Sequence, residues 1–477
     1  MSQPQRIAPV PIQSPAPRAE QRTTAGSAAV DPAIPTTLAV LDRVFGPPED
    51  RSYDIRLWDG TVTEGRRGPR ADFSLHVRRR GALRRMLLPP SELSIVEAFI
   101  SNDIDIDGNV ESAMGLADAI GERIQSFTAL ARLIPAILSL PRDDAAPPMD
   151  ESRYSRSLRL MTPRARRSTE SEIQFHYDVG NDFYALWLDP SMLYTCAYYR
   201  SEADDLATGQ INKLEHICRK LRLRPGDRLL DIGCGWGGLV MHAAEHYGAR
   251  AIGITLSSAQ AIYGQAKITE RGLSDRCKVQ MMDFRDLPAN ARFDKISSVG
   301  VTEHVPEDRQ PQYFARAFQA LEPGGLFLNH CEVSLRAARR SHTIGERLGR
   351  WLWKRDQFID KYVFPDARLV AFASIVRSAE SVGFEVRDVE SLREHYMMTL
   401  RTWLRGLEKR QADAIRLVGE RTYRVWRLYM SAGAYGFRTA GINIVQTLLS
   451  KPTPEGIAGV PLTRDDLYRS NSNGTGS

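Results

Sequence analysis

No run of about 18 uncharged apolar residues occurs in the 477-residue chain, so no membrane-spanning helix is expected. The opening stretch MSQPQRIAPVPIQSPAPRAEQRTTAGSAAV has no hydrophobic segment and is rich in Pro, Ala, Ser and Gln. That composition argues against a secretory signal and for a disordered tail over 1–35. Cysteine is scarce. Cys196, Cys218, Cys234, Cys277 and Cys331 stand without C-x-x-C spacing, which excludes a disulfide framework or zinc site and favours a reduced, cytoplasmic setting. There is no internal repeat and no nucleic-acid-binding module. DIDIDGN places Asp103, Asp105, Asp107 and Gly108 as in a calcium loop, but its twelfth position is Met114 where a bidentate Glu is required. A solvated turn between helices is the reading there, and no metal is expected.

What is present is a basic balance of +6, clustered in RRRGALRRMLL (Arg78 to Leu88) and RLGRWLWKR (Arg347 to Arg355). These segments read either as solvated charge beside core residues or as contacts with an anionic lipid surface, where Trp and Leu sit at the boundary. The apolar segment Ile124–Pro141, broken by Arg132 and Pro135, reads as a helix packed on its own domain, with a lipid-facing surface helix as the alternative.

The punctuation divides the chain into a first unit over 36–141, a charged Pro-containing linker over 142–160, a larger domain over 161–465 and a tail over 466–477. In the first unit YDIRLWDGT and DFSLHVRRR alternate as strands do, with Asp59-Gly60 as a turn. Beyond residue 160 strands alternate with helices, the pattern of a parallel sheet covered on both faces.

The strongest local signal is DRLLDIGCGWGGLVMHAAEHYG, an apolar run ending at Asp231 and followed by Gly233, Gly235, Trp236 and Gly237. Glycines there allow a tight strand-to-helix turn and close ligand approach. Dinucleotide-binding folds use the same logic, so the loop alone leaves the cofactor open. Downstream, ARAIGITLS ends in Thr255, Ser257 and Gln260 where an NAD site expects a lone acid. VQMMDFRDLP offers Asp283 and Phe284, and FDKISSVGVTEHV ends past Glu303 and His304. Ligands of such sheets sit outside the carboxyl ends of the strands, so these groups should converge on one crevice. This order resembles the class I S-adenosylmethionine-dependent methyltransferase fold: α/β, Rossmann-like and mostly parallel, here with a smaller N-terminal α+β domain.

With FHYDVGNDFYALWLDPSMLYTCAYY, GITLSSAQ, GVTEHV, FIDKYVFPD and HYMMTLRTW in that order, the catalytic half resembles the cyclopropane fatty acid synthase family. The first unit resembles the extra domain of its bacterial phospholipid-modifying members. The resemblance implies methyl transfer from S-adenosylmethionine to the cis double bond of a phospholipid acyl chain, with ring closure. It also implies bicarbonate as base, a membrane surface as partner, peripheral location on the inner face of the membrane, and a homodimer. Active-centre positions correspond to Cys196, Glu303, His330 and Tyr396. Cofactor contacts correspond to Tyr194, Thr195, Asp231, Gly233, Gly235, Trp236, Gly237, Thr255, Gln260, Asp283 and Phe284.

One stretch departs from the pattern. In GGLFLNHCEVS the family has an isoleucine near bicarbonate where this chain has Glu332, which could repel the anion or accept the proton itself. Alternation along a strand puts His330 and Glu332 on one face and Cys331 on the other, with His330 aimed at the reacting centre. A ring-non-forming branch, leaving a methylene- or methyl-branched chain for a partner reductase, therefore stays open. So do an inactive lipid-binding relative and a small-molecule methyltransferase. A second departure is Gly433, where some members carry a cysteine.

Overall fold

The computed structural model describes residues 31–66, 72–88, 91–116, 127–142, 179–335, 357–363 and 369–468. The N-terminal unit runs through α1 (Ile34–Phe45), β1 (Ile55–Arg56), β2 (Val62–Thr63), β3 (Phe73–Val77), α2 (Ala82–Leu87), α3 (Glu92–Ile100), β4 (Ile104–Gly108), α4 (Val110–Ala113) and α5 (Phe127–Leu138). Its sheet order is β2-β1-β3-β4. The hairpin over Asp59-Gly60 pairs Ile55 with Thr63, with Gly60 at φ +93°, as the turn signal implies.

Two expectations are corrected in this unit and an open one is narrowed. Order begins before residue 36: Asp31 accepts from the indole of Trp58 and the guanidinium of Arg80, and Ile34 is buried. The acidic stretch is no solvated turn. It is strand β4, in register with β3, and its acids are held by arginines: Asp103 by Arg79 and Arg85, Asp105 by Arg78 and Arg424. The same pairs use up the charge of Arg78–Leu88. Arg84 donates to the carbonyls of Ile137, Leu138 and Leu140, while Leu83, Met86 and Leu87 are buried. This segment therefore follows the core reading, because burying its apolar residues brings the arginines to internal acceptors. The second basic segment, 347–355, lies outside the described residues.

Helix α5 also packs on its own unit. Leu133, Ile137 and Leu140 at its end are buried against α1 and α2, while Ile134 and Leu138 face outward.

The larger domain comprises α6 (Asn181–Tyr184), α7 (Leu206–Leu221), β5 (Arg228–Ile232), α8 (Gly238–Tyr247), β6 (Arg250–Thr255), α9 (Ser258–Glu270), β7 (Cys277–Met281), β8 (Phe293–Val299), α10 (Gln310–Ala320) and β9 (Leu321–Ser334). It continues through α11 (Gln357–Tyr362), α12 (Phe372–Glu380), β10 (Glu385–Ser391), α13 (Arg393–Lys409), α14 (Gln411–Arg438), β11 (Ile442–Ser450) and α15 (Asp465–Tyr468). The sheet order is β10-β11-β9-β8-β5-β6-β7, with β11 antiparallel to both neighbours and the other pairs parallel. From β5 the chain first adds β6 and β7 on one side, then β8 and β9 on the other. The crevice of such a sheet opens where the direction of winding reverses, between β5 and β8.

Helix α7 shows why the layers close. Asp205 caps it by accepting from the Thr208 amide, and Gln210, Lys213, Leu214, Ile217, Cys218 and Leu221 form one buried face at helical spacing. The C-terminal end is a further correction: α15 packs back, with Leu467 buried and Asp466 paired to Arg222. Residues 469–477 and most of the expected linker (143–160) lie outside the described residues.

The two units share structure. Phe358, Tyr362, Val425 and Leu428 complete the N-terminal core. Arg424 of α14 reaches across it, donating to the carbonyls of Phe99 and Ile104 and to Asp105.

Candidate active site

Strand β5 delivers Asp231 to the crevice, and the turn after it is made by glycines at positive φ: Gly233 at +73°, Gly235 at +56° and Gly237 at +85°. A Cβ on Gly233 would lie 2.3 Å from Val301, and one on Gly237 2.8 Å from Val279, so these two glycines let the turn pack. At Gly235 a Cβ would meet nothing within 4 Å. That glycine borders open space in a cavity of about 1150 Å³.

Around this cavity stand Tyr194, Thr195, Asp231, Gly233, Gly235, Trp236, Thr255, Gln260, Asp283 and Phe284, the cofactor set expected from sequence apart from Gly237. Thr255 donates to Gln260 Oε1 at 2.7 Å, and the Trp236 indole donates to Asn181 at 2.8 Å. Phe284 packs edge-on against Tyr313 with centroids 5.0 Å apart. Asp283 accepts from the backbone amide and guanidinium of Arg285; burial raises its pKa, but these bonds bring it below the ordinary value.

Sequence reasoning missed Lys213 and Gln210. Gln210 donates to the carbonyls of Leu193 and Thr195, and buried Lys213 donates to Thr195 Oγ1 at 2.7 Å. They fix the cavity wall that carries Tyr194. Burial pushes Lys213 down to about 8, with Asp189, Cys196 and Asp231 opposing. Burial likewise pushes Asp231 up to about 7 against Ser297 and Lys213. The only signal was a Lys on the apolar face of an amphipathic helix.

The reacting end lies beyond the tips of β8 and β9. Thr302 donates to Asn329 at 2.6 Å, which clamps the 302–304 turn to β9 and places Glu303 against it. The Glu332 backbone amide donates to Glu303 Oε1 at 2.7 Å, while Glu303 Oε2 has no partner among the described residues. Burial raises Glu303 to about 7 against that amide bond. Burial and the neighbouring Glu303 raise Glu332, while a hydrogen bond from Tyr396 opposes the rise. Both carboxyls are half-buried, and both line the cavity with Tyr396.

Strand alternation holds: Cys331 is fully buried on the opposite face, with Phe327 and Phe384. His330 shares the face of Glu332 but sits one layer beneath the cavity. It is fully buried, with Nδ1 3.3 Å from the Gln446 amide, and is held down to about 3 by burial and then by Lys213 and Lys220. Cys196 also lies behind the wall, its thiol donating to the Ala197 carbonyl at 3.2 Å and raised by burial. Glu303, Glu332 and Tyr396 are therefore brought together, while the side chains of His330 and Cys196 are kept behind them.

The seven-stranded sheet, the glycine turn after its first strand and the polar crevice beside it define a class I S-adenosylmethionine-dependent methyltransferase. The chain matches the mycolic acid cyclopropane synthetase family over residues 164–447 and belongs to it. It is 38% identical over 415 residues to the "Probable fatty acid methyltransferase" of Pseudomonas putida, covering 87% of this chain and 96% of that protein. It is 36% identical over 282 residues to the cyclopropane-fatty-acyl-phospholipid synthase of Escherichia coli K12, covering 59% and 68%. The mycolic acid cyclopropane synthase CmaA1 complexed with SAH and CTAB superposes with a TM-score of 0.55 at 31% identity, over 59% of this chain and 98% of that one. The P. putida likeness thus reaches into the N-terminal unit, whereas the other two span no more than the length of the methyltransferase domain.

Proposed function

We propose that this enzyme transfers the methyl group of S-adenosylmethionine to the cis double bond of an unsaturated phospholipid acyl chain and closes a cyclopropane. The observation that carries the reading is the Glu303, Glu332 and Tyr396 group on the wall of an apolar cavity that also holds the glycine turn.

The residues present fit the cofactor. Gly235 leaves room beside the turn, and Thr255, Gln260, Asp283 and Phe284 border the same space. When bound, S-adenosylmethionine supplies an electrophilic methyl group to the alkene and leaves positive charge on the acyl chain. Tyr396, Tyr429 and Phe437 lie around that charge, and the ionised carboxyl pair opposes it. The apolar wall excludes water, which would otherwise trap the cation. A carboxylate oxygen of Glu332 then takes the proton lost from the transferred carbon, and the released C–H electron pair closes the ring.

Bicarbonate fits this site poorly. Two carboxyl groups already face that part of the cavity, and each disfavours a further anion. In this reading Glu332, steadied by Tyr396, does the work of the anion.

The second reading rests on the same Glu332. A base placed differently along the chain would take the proton after a hydride shift and leave a methylene branch, for which a partner reductase would be the next enzyme. The name of the P. putida relative fits either outcome. Incubation with unsaturated phospholipid vesicles and S-adenosylmethionine, followed by mass spectrometry and proton NMR of the lipid, decides between them. High-field cyclopropane protons are expected. Olefinic methylene protons would select the second reading, and unchanged lipid would sink both.

No helix among the described residues is long and apolar enough to cross a membrane. Peripheral contact with the inner face of the membrane, implied by the family resemblance, is proposed as the route to a bilayer lipid. The homodimer implied by the family resemblance is part of the same proposal.

A further inference from the structure

The cavity is larger than one ligand requires. Small-molecule sites measure roughly 300–1,000 Å³, and this one is about 1150 Å³. Its two ends differ in chemistry. One is the polar crevice at the strand tips. The other is built by the N-terminal unit, where Leu75, Met86, Val96, Phe99, Ile106 and Met114 line it.

Helix α14 runs along both ends. Leu428 belongs to the N-terminal core and Phe437 to the aromatic core of the larger domain, while Tyr429 packs against both. Between them the wall carries small residues: Ala432, Gly433 and Gly436. A Cβ on Gly433 would lie 3.0 Å from Leu400, so this stretch of wall has no spare depth for a side chain. The join is fixed by buried polar contacts. Arg424 is held by Asp105 and two carbonyls of the N-terminal unit, and Glu111 accepts from Arg401 and Arg438.

We propose that the N-terminal unit forms the far end of the substrate site, and that the methyl-terminal segment of the fatty acyl chain lies there against Val96, Phe99 and Ile106. The inference rests on the acyl-chain reading of the active site. A flexible hydrocarbon tail suits this mostly apolar end of the cavity. The carboxyl-side carbons and headgroup then lie away from this unit, and its depth sets which tail lengths place the double bond opposite Glu332.

Two experiments test this. First, the wild-type protein is photolysed with vesicles of a phosphatidylglycerol whose oleoyl chain carries a diazirine at its methyl end, and the labelled peptides are mapped by mass spectrometry. Label within residues 92–116 is expected. Label confined to 393–445 would overturn the proposal, and this readout does not depend on turnover. Second, Val96→Trp and the milder Ile95→Phe are assayed on mixed vesicles of oleoyl and palmitoleoyl lipid, which share the double-bond position and differ by two CH2 groups beyond it. The ratio of oleoyl to palmitoleoyl product should fall by up to ~15-fold, the discrimination two buried CH2 groups can give. An unchanged ratio in active variants would refute the tail placement. Loss of product from both lipids in the wild-type protein would instead count against the reaction, leaving the label map to decide the site.

Discussion

The Glu332 backbone amide donates to Glu303 Oε1 at 2.7 Å, joining two positions 29 residues apart at one wall of the cavity. The bond fixes the backbone of β9 against the turn after β8, and it brings two carboxyl groups together. Burial raises both, and Glu303 raises Glu332 further, so both are poised near neutrality, as a catalytic base requires.

Glu332→Gln should therefore lower kcat by about 10²–10⁴-fold, the usual contribution of a positioned base. Calorimetry should show S-adenosylmethionine affinity within about threefold of wild type, since Glu332 is not among the cofactor-contact residues. Added bicarbonate should not restore activity, because the amide still fills the place an anion would need. Full activity in this variant would remove Glu332 from the mechanism.

The pH dependence follows from the same pair. A base acts only when ionised, so kcat/KM should rise with pH through about 7–8 and level off above. Burial would still raise Glu332 in Glu303→Gln, but the added push from the Glu303 charge is gone, so any residual activity should show its rise at lower pH. A rise left in place would mean that another group titrates.

Stability should run the other way. A carboxyl whose folded pKa lies above its unfolded value contributes stability that is complete below the unfolded value, near 4.5, and is lost as pH rises through the folded one. The melting temperature of the cofactor-free protein should then fall between pH 5 and 9 by more than that of Glu332→Gln. Parallel curves for the two proteins would refute the assignment of the raised values.

The glycine turn separates two effects of substitution. The Cβ of Gly235→Val meets no atom of the described residues, so the protein should fold, losing about 1–2 kcal/mol to the left-handed backbone. Its side chain fills cofactor space, and S-adenosylmethionine affinity should drop at least 100-fold by calorimetry. Gly233→Ala drives a Cβ into Val301 and should cost more stability than Gly235→Val, as denaturant titration would show.

Arg424→Leu tests the join between units. It removes one of the arginines that hold half-buried Asp105, leaving Arg78, and strips the donor from two carbonyls, at about 1–3 kcal/mol for each buried acceptor left unsatisfied. Limited proteolysis should then release the N-terminal unit faster than in wild type. Equal protection would show that the apolar contacts suffice.

Much of this was legible in the sequence because it depends on local chemistry. The strand ending at Asp231, the positive-φ glycines and the polar tips of the next strands are each written within a few residues, and a parallel sheet obliges them to meet at one edge. Alternation alone placed Cys331 opposite Glu332. The misreadings came where long-range pairing decided. DIDIDGN looked like a solvated turn because its partners, Arg79, Arg85 and Arg424, lie before it and more than 300 residues after it.

The sequence by itself determined the methyltransferase domain, its glycine turn and the candidate acids, since periodicity and turn chemistry act over short stretches of chain. Only the tertiary structure decided that Glu332 sits against Glu303 at one wall of the cavity, that His330 and Cys196 stand behind that wall, and that the N-terminal unit helps enclose the cavity. These relations depend on strand register, and on which buried charges find partners when distant segments pack.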